Sequence, residues 1–125
     1  MTEKLSADQQ RRIAEIEEYI KIVQHVKRLV EELDGNRAGH TRVIQGLSES
    51  IARELSQLRQ RALTANIGTI ADVAGAMSIM AARGSGLSMK IRGLGDGVNS
   101  LMMQLDRAMK SAMTPEPKRP GEHPA

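Results

Sequence analysis

The sequence predicts an all-α protein in which an antiparallel helical hairpin extends into a three- or four-helix, coiled-coil-like bundle. Three observations support this prediction. Apolar and small residues recur at alternating steps of three and four, which is the spacing of one helix face. All four prolines lie at position 115 or later, so no proline interrupts a helix before that point. Glycine-rich segments at 34–40 and 83–86 supply turns between helices.

The composition narrows the kind of core that this chain can build. Tyr19 is the only aromatic residue in 125, and the chain has no cysteine. Because aromatic side chains supply much of the buried area in globular cores, their absence argues against a compact α/β enzyme. It favours thin interfaces of aliphatic residues and methionine between helices. The lack of cysteine excludes disulfides and thiolate chemistry.

The first predicted helix covers residues 6–33. Ser6 and Gln9 have the spacing of a capping box at its start. Its apolar stripe is broader than a two-stranded coiled coil needs, so we expect neighbouring helices on two sides. The segment 34–40 ends the helix, with Gly35 as the expected C′ residue. A link this short predicts that the second helix runs antiparallel to the first.

The second helix is predicted to begin near Thr41. It either stops near Asn66-Ile67-Gly68 or continues to Ala82, and the longer helix, 41–82, is favoured. The seam of apolar residues from Ile70 to Ala112 keeps its register through Gly84, as it would in a continuous helix. The glycines of 83–86 favour a break instead.

The last helix is then predicted at 87–113, ending before Pro115. Residues 1–113 form one helical domain in this interpretation, and the proline-rich segment 114–125 is a disordered tail. The stretch Gly93-Leu94-Gly95-Asp96-Gly97 is rich enough in glycine to suggest a phosphate loop. It has no preceding strand and no Gly-Lys-Ser/Thr, so we expect its glycines to allow the close approach of another helix.

Two sets of residues are candidates for contacts between helices. A strip of small side chains is expected to allow close helix packing. Its members are Gly68, Ala71, Gly75, Ser78 and Ala82. A second set, on the last helix, is predicted as the interface with another copy or with a helical partner. Its members are Ile91, Leu94, Val98, Leu101, Met102, Leu105 and Met109. Methionine makes such surfaces adaptable, and Met103 is a further candidate for the same patch.

The chain offers little basis for catalysis or for a metal site. Its three histidines, at 25, 40 and 123, are far apart in sequence and lack the Glu-x-x-His companions of metal-binding bundles. No nucleophile, base and orienting group can be proposed together. We therefore expect no enzyme activity, no cofactor and no metal. The N-terminal residues lack the apolar core of a secretory signal, and Asp72 interrupts the most apolar segment, 62–82, so we expect a cytoplasmic protein.

The function favoured by these patterns is that of a non-enzymatic scaffold or adaptor that forms homo-oligomers through its seams. A chain with few large side chains buries little apolar area alone, and association supplies more. One alternative is a protein that acts on or at a membrane surface through the Gly/Ala/Met-rich segment 62–113. A second is a nucleic-acid-associated protein, which is disfavoured because acidic residues lie among its basic ones at a net charge of +3.

Overall fold

The computed structural model describes residues 5–65, 67–83 and 86–114. They form four helices, α1 (Ala7–Gly35), α2 (Thr41–Thr64), α3 (Gly68–Ala82) and α4 (Leu87–Met113). Each helix packs against the next in the chain, and α4 packs back on α1, so the helices close into a ring. This arrangement confirms the predicted all-α bundle. It also gives α1 two neighbours, as its broad apolar stripe predicted.

Helix α1 begins as the sequence predicted but ends differently. Ser6 Oγ accepts a hydrogen bond from the Gln9 backbone N–H at 3.1 Å, and Gln9 Oε1 accepts one from the Ser6 N–H at 2.9 Å. This is the predicted capping box. The expectation that Gly35 is the C′ residue is wrong, because Gly35 remains inside the helix and Asn36 caps it. The Asn36 side-chain amide donates to the Glu32 carbonyl at 2.7 Å, which satisfies a group that the helix end leaves free.

The predicted continuous helix 41–82 is wrong, since the chain folds back between α2 and α3. At the turn, the Ala65 N–H donates to the Arg61 carbonyl at 3.0 Å, and the Ile67 N–H donates to the Ala62 carbonyl at 2.8 Å. The second bond spans five residues, as in a Schellman-type helix end. Folding back lets α3 pack along α2 instead of extending beyond the bundle.

The predicted break at 83–86 is confirmed, because α3 ends at Ala82 and α4 begins at Leu87. Residues 84 and 85 lie outside the described part of the chain, as does the predicted tail from residue 115 onward. The apolar seams of all four helices meet in one core. Its largest fully buried side chains are Tyr19, Ile16, Leu33, Ile51, Leu55, Leu58, Ile70, Leu94, Leu101, Leu105, Val23 and Val26.

A single glutamine joins the start of α1 to the end of α4. The Gln9 side chain is 5% exposed, and its Nε2 donates to the Thr114 carbonyl at 2.8 Å and to the Ala112 carbonyl at 3.4 Å. Its Oε1 is the capping-box acceptor described above. One side chain therefore satisfies a backbone donor at the start of one helix and carbonyls at the end of another.

Candidate interaction surface

The structure buries most of the predicted interface on α4 within one chain. Five of its seven side chains are at most 7% exposed, namely Ile91, Leu94, Val98, Leu101 and Leu105. Met102 and Met109 are half-buried and pack against the same core. The seam is therefore covered by other helices of its own chain. The sequence pattern shows that a seam needs a covering surface, but it does not show which helix provides that surface.

The small-residue strip lies partly between α3 and α2. Ala71 is buried, whereas Gly68 and Ala82, at the two ends of α3, are exposed. Ser78 Oγ lies 2.8 Å from Ser56 Oγ and 3.1 Å from the Ala52 carbonyl, so it links the two helices.

The centre of the same strip lies close to an arginine of α2. A Cβ built at Gly75 would lie 3.0 Å from Cδ of Arg59. This separation is tighter than ordinary van der Waals contact, so a larger side chain at position 75 would press on the arginine stem.

Two glycines of α4 receive methionine side chains from α3. A Cβ built at Gly97 would lie 2.5 Å from the Met77 sulfur, and one built at Gly93 would overlap the Met80 sulfur. Gly95 lies between them, and outside its own stretch of helix no heavy atom of the described residues lies within 4 Å of its Cβ position. At Gly93 and Gly97 this geometry agrees with the expectation that the glycines allow the close approach of another helix, whereas Gly95 takes no part in that contact. The methionines occupy space that any larger residue at 93 or 97 would fill.

The main polar cluster links α1 to α2. The Arg61 guanidinium makes two bonds of 3.2 Å to the Glu15 carboxylate and lies 5.6 Å from the centre of the Tyr19 ring. The hydrogen bond from Arg61 lowers the pKa of Glu15 below its usual 4.5. Burial, with the nearby Glu15 carboxylate, raises the pKa of Tyr19 to about 12. The sequence pattern does not pair these residues, since they lie on different helices.

These interactions make the cluster a structural contact between two helices. The Tyr19 hydroxyl donates to the Arg61 backbone carbonyl at 3.3 Å. The Glu15 carboxylate, the Arg61 guanidinium and the Tyr19 hydroxyl therefore all interact with one another or with the backbone.

An apolar groove runs along the outside of the bundle between α3 and α4. Its volume is about 490 Å³, and its lining residues are Ala76, Ile79, Met80, Arg83, Met89 and Lys90. Ile79 is 56% exposed and Met89 is 79% exposed, so large apolar side chains face solvent there. Neither Ile79 nor Met89 is among the interface residues predicted from the sequence. The shared groove depends on how α3 and α4 pair, which a one-dimensional pattern does not show.

Lys90 is unusual among the groove residues because it is charged yet only 8% exposed. Lysine is rarely buried to this extent without a partner. Within the described residues, neither Lys90 nor Arg83 takes part in the ion pairs of the bundle, which join Arg11, Lys21, Arg37, Arg61 and Lys110 to carboxylates. The groove therefore combines exposed apolar surface with two cations that no carboxylate of the described chain pairs.

Other classes of site are not found in the described part of the chain. Across residues 5–65, 67–83 and 86–114, no three histidine, aspartate or glutamate side chains are placed to share a metal ion. None of the helices in those ranges combines the length and apolar character needed to cross a bilayer. Comparisons with protein-family models, with curated proteins and with solved structures find no match.

Proposed function

We propose that this chain is a non-enzymatic helical interaction protein, a scaffold or adaptor that associates with another copy of itself or with a helical partner. The observation that carries the proposal is the α3–α4 groove, where Ile79 and Met89 are more than half exposed. Exposed apolar side chains clustered in a groove are typical of surfaces that another molecule covers. Methionines on such surfaces adapt to partners of different shape.

The polar chemistry of the bundle supports a binding role over a catalytic one. A second hollow, of about 730 Å³, lies at the opposite end and is lined in part by Arg11, Arg12, Glu15 and Ser111. Its carboxylate is already held by Arg61. A general base must be free to take a proton from a substrate, and Glu15 is engaged in a contact between helices instead.

The burial of the α4 seam directs self-association to the outer surface. Leu94 and Leu101 are 0% exposed, so a partner would reach them only by opening the bundle. Charged replacements at these positions would unfold the chain and would not report on association. A partner can contact the apolar side chains on the outer faces of α3 and α4 without opening the bundle.

Light scattering after size-exclusion chromatography, across a range of protein concentrations, tests self-association. We expect a mass that rises above the 13.7 kDa of one chain as concentration increases. The double variant Ile79→Glu/Met89→Glu should reduce that mass. Val43→Glu/Leu63→Glu is a matched control, because those α2 side chains are 45% and 46% exposed but lie outside the groove. A mass of one chain at every concentration would refute self-association.

A further inference from the structure

We infer that the α3–α4 groove binds an amphipathic helix of a partner protein whose apolar stripe is flanked by carboxylates. The inference rests on the proposed interaction function and specifies the partner's chemistry. The apolar part of the groove is provided by Ile79, Met80 and Met89. A helix docks into such a groove through side chains spaced three and four residues apart. Three neighbouring apolar groups suit a stripe of that kind.

The positive charge of the groove indicates which residues should lie beside the apolar stripe of the partner helix. Lys90 lines the groove with 8% of its surface exposed. Among the described residues, its ammonium takes part in none of the ion pairs of the bundle. An ammonium without a counter-ion, next to apolar surface, can form a charge-assisted hydrogen bond with a carboxylate. A partner carboxylate beside the apolar stripe would supply that bond.

Arg83 places a second positive charge on the same groove. It caps the end of α3, where its backbone N–H donates to the Ile79 carbonyl at 3.1 Å, and its side chain is exposed. Its guanidinium offers several donors in a plane that matches a carboxylate. Among the described residues that line the groove, none has an acidic side chain that could compete for either cation. Both charges therefore favour an acidic partner helix and disfavour a basic one.

The experiment selects helices from a displayed library of amphipathic peptides, with the flanking positions randomised, against the full-length protein. The critical variant is Arg83→Gln/Lys90→Met, which removes both groove cations and keeps the lysine stem largely apolar. The matched control is Arg53→Gln/Lys27→Met, which makes the same two changes at exposed positions of α2 and α1 outside the groove. Circular dichroism and thermal unfolding establish that both variants fold.

The expected result is a set of selected helices enriched in Glu and Asp beside the apolar stripe. They should bind the critical variant at least about tenfold more weakly than the wild type, a loss of ~1.4 kcal/mol, and bind the control variant as the wild type does. Selected helices without acidic enrichment, helices that bind the critical variant equally well, or no selected helices would each overturn the inference.

Vesicles provide a comparison with a membrane surface, which presents anionic groups of another kind. The wild type could bind phosphatidylcholine vesicles that contain phosphatidylserine while the critical variant does not. If no acidic helices were selected as well, that result would assign the groove to lipid and overturn the inference. The light-scattering test is independent of this one. If the chain stays monomeric but selects acidic helices, only the proposed self-association is refuted. If it self-associates but selects no acidic helices, only the inference about the partner's chemistry is refuted.

Discussion

Replacing glycine by alanine at two nearby positions of α4 should change stability in opposite directions. Alanine is more favourable than glycine inside a helix by about 1 kcal/mol. At Gly95 the new methyl group would meet no described atom within 4 Å outside its own stretch of helix, so we expect Gly95→Ala to stabilise the bundle by about 0.5–1 kcal/mol. The same change at Gly97 adds a steric cost, since its methyl would lie 2.7 Å from Cγ of Met77.

The cost at Gly97 follows from the burial of its neighbour. Met77 is 2% exposed, so it cannot swing into solvent and must repack inside the core. Overpacking a core costs about 1–3 kcal/mol. The gain in helix propensity of about 1 kcal/mol offsets part of this cost. The net effect of Gly97→Ala is therefore to destabilise the bundle by ~0–2 kcal/mol. Gly93→Ala should lie between the two, because Met80 is only half-buried and the overlap involves the far end of its side chain.

Urea unfolding followed by circular dichroism measures these differences, provided that the slopes of the transitions agree among variants. The double variant Gly97→Ala/Met77→Ala tests the cause. Removing the long side chain gives the new methyl its space, so the double variant should be more stable than the sum of the single changes predicts. If Gly97→Ala were as stabilising as Gly95→Ala, the proposed packing of Met77 against Gly97 would be refuted.

Three further predictions concern polar contacts. Gln9→Glu keeps the capping-box acceptor but removes the donor to the Thr114 carbonyl. Near neutral pH we expect this change to destabilise the fold by ~1–3 kcal/mol, measured by urea unfolding. Part of that stability should return at acidic pH, because a protonated glutamate can donate again. Glu15→Gln should cost less than about 1 kcal/mol above pH 4.5, and the difference from wild type should vanish as falling pH protonates Glu15 in the native state. The absorbance of Tyr19 should titrate near pH 12 in the folded chain, and stability should fall between pH 10 and 12, where the unfolded chain loses this proton first. A native midpoint near 10 would contradict the burial of Tyr19.

The parts of the fold that could be predicted from the sequence are those encoded by near neighbours. The capping box needs only Ser6 and Gln9, three residues apart, and the helix stripes need only their own periodicity. The turn after α2 was signalled by Asn66-Ile67-Gly68, a combination typical of helix ends, but the apolar pattern on both sides favoured continuity. Local propensity and periodicity disagreed there, and the packing of α3 on α2 decided between them.

The candidate site was harder to predict because it depends on which helices pair. The α4 seam looks the same in sequence whether another chain or α1 and α3 cover it. Likewise, Ile79 and Lys90 become neighbours only when α3 and α4 lie side by side. Periodicity identifies which face of a helix is buried, but it does not identify the helix that buries it.

The bond from Gln9 to the Thr114 carbonyl joins residues 105 positions apart in sequence. It brings the two chain ends of the described bundle side by side, and α1 and α4 pack together as the other neighbouring helices do. We therefore expect the ring of helices to form whichever of its loops contains the two ends of the chain. A circular permutant, joined by a short linker between these ends and opened at residues 37–39, would keep every pairing of helices with a different chain order.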